Sequence, residues 1–200
     1  AGPTFEDLDP VRYLGNRSSG KMGFALAAIA AQMGAQVTLV AGPVSLPTPT
    51  GVARTNVRRA AQMREAVLAA LPGQDVYIGA AAVADYMPVE TQAQKIKKTG
   101  DTLTVQLVRT PDILATVAAG ALRPFVVGFA AETQNVERNA LLKLEAKRLD
   151  MIELTGVPGG DGSSIFERFY RSADQEPEPR GLGLGLWIVK SIVDRHGGKI

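Results

Sequence analysis

The segment Asn16–Gly23, NRSSGKMG, gathers an amide, two hydroxyls, two glycines and two cations into one short stretch. The chemistry open to such a set is anion binding. A helix is predicted to begin near Gly20 and to run through FALAAIAAQM to Met33. Ser18 and Ser19 are placed to cap its first turn, and Gly20 lets backbone N–H groups face outward. Free N–H groups and the partial positive charge of a helix start attract phosphate or carboxylate. Most serine-rich helix starts bind only their own backbone, so support must come from elsewhere. The segment also nearly spells a P-loop, with Gly15 and then Gly20–Lys21. Met22 stands where that motif needs a hydroxyl for magnesium, and a thioether is a poor ligand for so hard a cation. Val11–Leu14, interrupted by Arg12, is also a poor buried strand. A P-loop NTPase is rejected and the anion site is kept.

Further chemistry-bearing groups lie downstream. In GAAAVADY, Gly79–Tyr86, small residues permit close approach of a flat or phosphorylated ligand, and Asp85 adds a carboxylate. Tight strand–helix packing is the ordinary alternative. KIKKTGD, Lys95–Asp101, is a cationic loop or a solvated face. Pro111–Leu114 opens a helix after Thr110, read as an N-cap with a second anion site. Phe129, in GFAAET, can stack on a base or simply fill core. Lys143 and Lys147 are spaced i, i+4 and can reach one polyanion together, or merely solvate a helix.

Elements of an α/β fold must position these groups. QVTLVA (36–41), DVYIGA (75–80) and FVVGFA (125–130) read as buried parallel strands, with 150–154 as one more. Helical patterns lie between them: 60–71 with Met63, Val67 and Leu71 on one face, then 111–119 and 135–148. The alternating TLTVQLV (102–108) reads as an edge or antiparallel strand. The expected architecture is an open, doubly wound, mostly parallel Rossmann-like sheet. Ligands there bind beyond the carboxyl ends of the strands, where the flagged loops fall.

Composition removes other classes. The chain has 200 residues, 46% hydrophobic and 21% charged, as in ordinary globular proteins. A net charge of +2 argues against bulk nucleic-acid binding. The absence of cysteine excludes disulfides, thiol catalysis and thiolate metal sites, and agrees with a cytoplasmic, reducing location. A single His196 leaves no histidine pair for a metal or a proton relay. No apolar run is long enough to span a bilayer. The chain opens abruptly on AGPT, as though a segment preceded it.

DPVRYLGNRSSGKMGFALA, GPVSLPTP, AAVADY, KIKK, TPDIL and VVGFAAET follow one another at natural spacing. Residues 1–152 thereby resemble the phosphopantothenate–cysteine ligase domain of bacterial coenzyme A biosynthesis. The resemblance implies that CTP, with Mg2+, activates 4′-phosphopantothenate as an acyl-cytidylate, and that L-cysteine then displaces CMP. It implies that Asn16 contacts the activated acyl group, with Arg12 in the same loop. It matches Lys95 to a mobile lysine that closes on the triphosphate. Gly79, Ala80, Ala81, Asp85, Pro111, Asp112, Ile113 and Leu114 match nucleotide-contacting segments, Phe129 a cytosine-side aromatic, and Lys143 and Lys147 phosphate-side lysines. The metal ligands are left unassigned. A homodimer is expected for the family.

The chain departs from that pattern at both ends. The family's apolar strand before AGPT is missing, and ELTGVPGG replaces a turn and the paired strands that build the dimer. The domain is therefore expected to be truncated at both ends. A glycine-rich linker (153–164) and a short helical appendage (165–200) should follow. IFERFYRS and GLGLGLWIVKSIVDRHGGKI resemble part of the ATP-binding domain of sensor histidine kinases. That family's asparagine–magnesium box is absent, so the appendage is not expected to bind ATP. Two rivals to the ligase remain: a non-catalytic nucleotide-binding or interaction module, and a kinase fragment.

Overall fold

The computed structural model describes residues 1–98, 100–121, 123–132 and 136–156. The expected linker 153–164 begins inside a strand that runs to Gly156, and its remainder and the appendage 165–200 lie outside the described residues. The order is β1 (Phe5–Asp7), β2 (Tyr13–Gly15), α1 (Lys21–Gln32), β3 (Val37–Ala41), β4 (Val52–Asn56), α2 (Ala60–Ala70), β5 (Val76–Gly79) and β6 (Tyr86–Pro88). Then come β7 (Leu107–Arg109), α3 (Ile113–Ala118), β8 (Phe125–Glu132), α4 (Val136–Ala146) and β9 (Met151–Gly156).

The α/β class and the parallel pairing are as expected. β8 is the middle strand of a parallel ladder β5–β8–β9, with Gly79 opposite Gly128 and Gly128 opposite Ile152. Its Val126 and Val127 are both fully buried, as befits a parallel strand covered on two faces. On one face Met63, Val67 and Leu71 of the α2 stripe pack with Ile113, Val117 and Leu149. β3 and β4 form a second parallel pair, against which α1 buries Phe24 and Ala27.

These two blocks do not share a ladder. Between β3 and β5 lies a largely apolar cavity of about 510 Å³, bordered by Val37–Val40, Val76–Ala81, Leu26 and Ala27. Residues 1–4 join the blocks at its end. Ala1 N donates to Val40 O at 2.7 Å and Gly42 N to Ala1 O at 2.8 Å. On the other side Ala82 N donates to Gly2 O at 2.9 Å and Thr4 N to Ala82 O at 3.3 Å.

Other expectations need local correction. Of the alternating run 102–108, only the end enters a strand, β7, antiparallel to β6. Val11–Leu14 contributes to a real but exposed strand, β2, paired with β1. The third helix starts at Ile113, and its N-cap is Asp112 rather than Thr110, for Asp112 accepts from Ala115 N.

Candidate active site

The loop after β2 and the loop after β5 meet through Asn16. Its Nδ2 donates to Val83 O at 2.9 Å. Three further bonds fix the β5 loop. Thr4 Oγ1 accepts from Ala84 N at 2.9 Å, Thr110 Oγ1 donates to Ala84 O at 2.5 Å, and Thr110 N donates to Asp85 O at 3.0 Å. Ala84 is thus gripped on both backbone groups, while Asp85 is left exposed beside it. Parallel pairing of Gly79 with Gly128 puts Phe129 at the same end of the ladder.

At the start of α1 the chain turns through Gly20, with φ of 73°, a left-handed value that glycine adopts without steric cost. The serines do not cap the helix as expected. Ser18 Oγ accepts from Gly20 N at 3.2 Å and Ser19 Oγ from Lys21 N at 3.4 Å, two local turns that shape the approach. The first helical bond is Phe24 N to Gly20 O. The amides of Met22 and Gly23 therefore have no acceptor among the described residues, and the helix start retains its capacity for an anion.

At the start of α3 a protein carboxylate already fills the cap. The carboxylate of Asp112 already holds Ala115 N at 2.9 Å, and Lys147 Nζ lies 2.8 Å from its other oxygen. Burial opposes ionisation of Asp112. The Ala115 amide, the Lys147 hydrogen bond and the charges of Lys147 and Lys143 outweigh it and lower its pKa. Lys143 Nζ donates to Phe129 O at 2.6 Å. Both lysines thus have protein partners and fasten α4 to the ladder and to α3. Lys147 itself lies just beyond the end of α4.

Gly79 has a packing reason. A Cβ there would stand 2.9 Å from Leu114 Cδ1, and one at Gly128 would stand 3.0 Å from Leu114 Cδ2. Leu114 sits over both glycines, which favours close strand–helix packing for Gly79 and Leu114. Ile113 is buried in the same core and Ala81 packs against it. Ala80 borders the cavity between β3 and β5. That cavity shares Gly79–Ala81 with the loop site but is bordered by none of Asn16, Asp85, Lys95, Lys143 or Lys147. Polar chemistry therefore belongs to the loops rather than to the cavity between β3 and β5.

Arg12 and Lys95 form a separate group. The guanidinium of Arg12 reaches Asp9 Oδ2 at 2.7 Å and Ile96 O at 2.6 Å. Lys95 is exposed, with no hydrogen-bond or ion-pair partner among the described residues. No bond in this structure links Lys95 to the Asn16–Ala84 group among the described residues. Sequence reasoning missed Asp9, Thr4 and the anchoring role of Thr110. Asp9–Pro10 carries a turn signal only, and nothing local to it announces a partner near residue 96.

Among the described residues no trio of His, Cys, Asp or Glu is grouped to hold a metal ion, and no helix is long and apolar enough to cross a membrane.

The profile of the DNA/pantothenate metabolism flavoprotein C-terminal domain family matches residues 1–163. A second profile, of histidine kinase-, DNA gyrase B- and HSP90-like ATPases, matches residues 144–200. The coenzyme A biosynthesis bifunctional protein CoaBC of Vibrio cholerae is 59% identical over 155 residues, 76% of this chain and 39% of that protein. The chain spans about half the length of the curated relatives it matches. A crystal structure of the C-terminal domain of CoaBC is similar with a TM-score of 0.69 at 43% identity, over 78% of this chain and 74% of that one. A mutant of Cab2 in complex with phosphopantothenate-cysteine shares the fold alone, with a TM-score of 0.74 at 15% identity, over 98% of this chain and 84% of that one.

Proposed function

The chain belongs to the DNA/pantothenate metabolism flavoprotein C-terminal domain family, and on that footing we propose that it ligates 4′-phosphopantothenate to L-cysteine with CTP as the activating nucleotide. The substrate carboxylate attacks the α-phosphorus of CTP, the bond to pyrophosphate breaks, and an acyl-cytidylate forms. The amine of cysteine then attacks the acyl carbon, a C–N bond forms and CMP leaves.

The observation that carries this reading is the bond from Asn16 Nδ2 to Val83 O. It brings together two motif loops whose chemistry is complementary. One has free helix-start amides; the other has small residues and an exposed carboxylate. A side-chain amide has two N–H donors. With one held by Val83, the plane of the amide is set, and the second is available for an oxygen that gains charge in either step. In this proposal Lys95 closes on the triphosphate, Phe129 lies on the cytosine side, and Lys143 and Lys147 lie on the phosphate side. Pro111–Leu114 and Gly79–Ala81 shape the nucleotide wall. Arg12 acts from the neighbouring turn. Magnesium enters on the triphosphate, which suits an ion commonly held by one or two carboxylates plus substrate phosphates. Asp85, exposed in the β5 loop, would be a carboxylate able to help hold it. We assign the reaction to the cytoplasm; a homodimer is the family's expectation, and the paired strands that would build it are replaced in this chain.

Ligand-dependent melting separates this reading from its rivals. A nucleotide at ~100 times its Kd stabilises the fold by roughly 2.7 kcal/mol. CTP should raise the melting temperature and ATP should not, and Lys95→Gln should lower both CTP affinity and turnover. CTP stabilisation without turnover would mark an inert nucleotide-binding module. Stabilisation by ATP instead would favour the kinase-like reading.

A further inference from the structure

We propose that Asp9 is a positioning residue that fixes the root of the lysine loop 95–98 and so directs Lys95. Asp9 is 1% exposed. Its Oδ1 accepts from Val11 N and Arg12 N, each at 2.8 Å, which closes its own turn. Its Oδ2 accepts from Arg12 Nε at 3.0 Å and from Ile96 N at 3.1 Å, across 87 positions of sequence. Arg12 Nη2 then donates to Ile96 O at 2.6 Å. Both backbone groups of Ile96 are therefore held by one ion pair, buried at Asp9 and half-exposed at Arg12.

Among the described residues no other hydrogen bond or ion pair ties residues 93–98 to the rest of the chain. Holding the peptide groups of residue 96 fixes where the backbone of Lys95 stands, one Cα step of about 3.8 Å away. The Lys95 side chain stays free to move. The arrangement is a fixed root with a mobile tip, which a residue needs if it is to close on a ligand and reopen. Asp9 touches neither substrate nor nucleotide in this account and acts through Ile96. Burial works against its charge, but the Val11, Ile96 and Arg12 amides and the Arg12 side chain overcome it and hold its pKa well below the usual carboxylate range.

Asp9→Asn is nearly isosteric and replaces one acceptor oxygen by a donor. It sets N–H against N–H at Ile96 or within the turn. Amide hydrogen exchange is measured on the whole chain, alongside CTP affinity by calorimetry. The expected result is at least tenfold faster exchange at the Ile96 amide, with protection of β8 and α2 unchanged. CTP affinity should fall several-fold in the wild-type background and hardly at all in Lys95→Gln, because an effect routed through Lys95 is non-additive with its loss. Unchanged exchange at the Ile96 amide, or the same loss of affinity in both backgrounds, overturns the inference. If Asp9→Asn unfolds, Asp9→Ser replaces it, a shorter side chain that can still accept from the turn amides but no longer reaches Ile96 N; the same two outcomes then decide. The affinity arm rests on the CTP reading. The exchange arm does not, so a chain that binds no CTP refutes the proposed function and leaves the clamp to be judged by exchange alone.

Discussion

A donor already committed to a backbone carbonyl is a donor held in place, and Asn16 is the residue where this matters most. Its bond to Val83 O fixes the amide at no cost at the moment of reaction. Asn16→Asp removes both donors and leaves the exposed loop otherwise unchanged in size. The expected outcome is a melting temperature within a degree or two of wild type. Product formation should slow by the equivalent of ~2.7–4 kcal/mol, as when an oxyanion donor is deleted. Single-turnover product formation measures it, and full activity would assign the amide to loop shape alone. Asp112 invites a second measurement, on stability. Its pKa is lowered from 3.8, so its contribution is full above that value and is lost as pH falls through the lower folded value. Melting curves between pH 5 and 2 should show wild type losing an increment of stability that Lys147→Gln has already lost at pH 5. Parallel curves would remove Lys147 from the account. At this scale sequence showed the chemistry-bearing groups, because amide, lysine and carboxylate declare themselves by type. It did not show their partners. Lys147 lies 2.8 Å from Asp112, a partner that no local pattern announces.

Element by element, legibility followed length and periodicity. The i, i+4, i+8 stripe of α2 and the apolar run of β8 were readable, and Met63, Val67, Val126 and Val127 are buried as read. β1, β2, β6 and β7 have three residues each, too short to show a period, and their pairing depends on distant partners. Thr110 read as a cap from its place before Pro111. It lost that role because Asp112 lies nearer the helix and Thr110 has Ala84 O to bond. The packing of α3 on the ladder yields a test at this scale. Gly79→Ala places a methyl 2.9 Å from Leu114 Cδ1, so the Leu114 side chain, which also lies over Gly128, must shift to admit it. Overpacking of this kind costs about 1–3 kcal/mol. Leu114→Ala should remove the clash, so the double variant should be less destabilised in urea than the sum of the singles. Strict additivity would mean that Leu114 is not what the glycine accommodates.

At the scale of the whole molecule, two parallel blocks are joined by residues 1–4, and the proposed chemistry lies on the loops at one end of them. The β-α alternation made the class legible. The gap between β3 and β5 was not, since both strands read as interior ones and no local feature marks an unshared edge. The groups proposed to act all lie within residues 12–147, inside the span matched by the family profile. Removal of residues 165–200 should therefore leave CTP affinity unchanged within a few-fold. A large loss on calorimetry would show that the C-terminal residues belong to the site. The most direct measurement of the central claim is pyrophosphate release by the purified chain given CTP, magnesium, 4′-phosphopantothenate and L-cysteine. Pyrophosphate and CMP should appear with CTP, ATP should not replace it, and omission of 4′-phosphopantothenate should abolish both. Release that is independent of 4′-phosphopantothenate, or no release from a folded chain saturated with CTP, would contradict the claim.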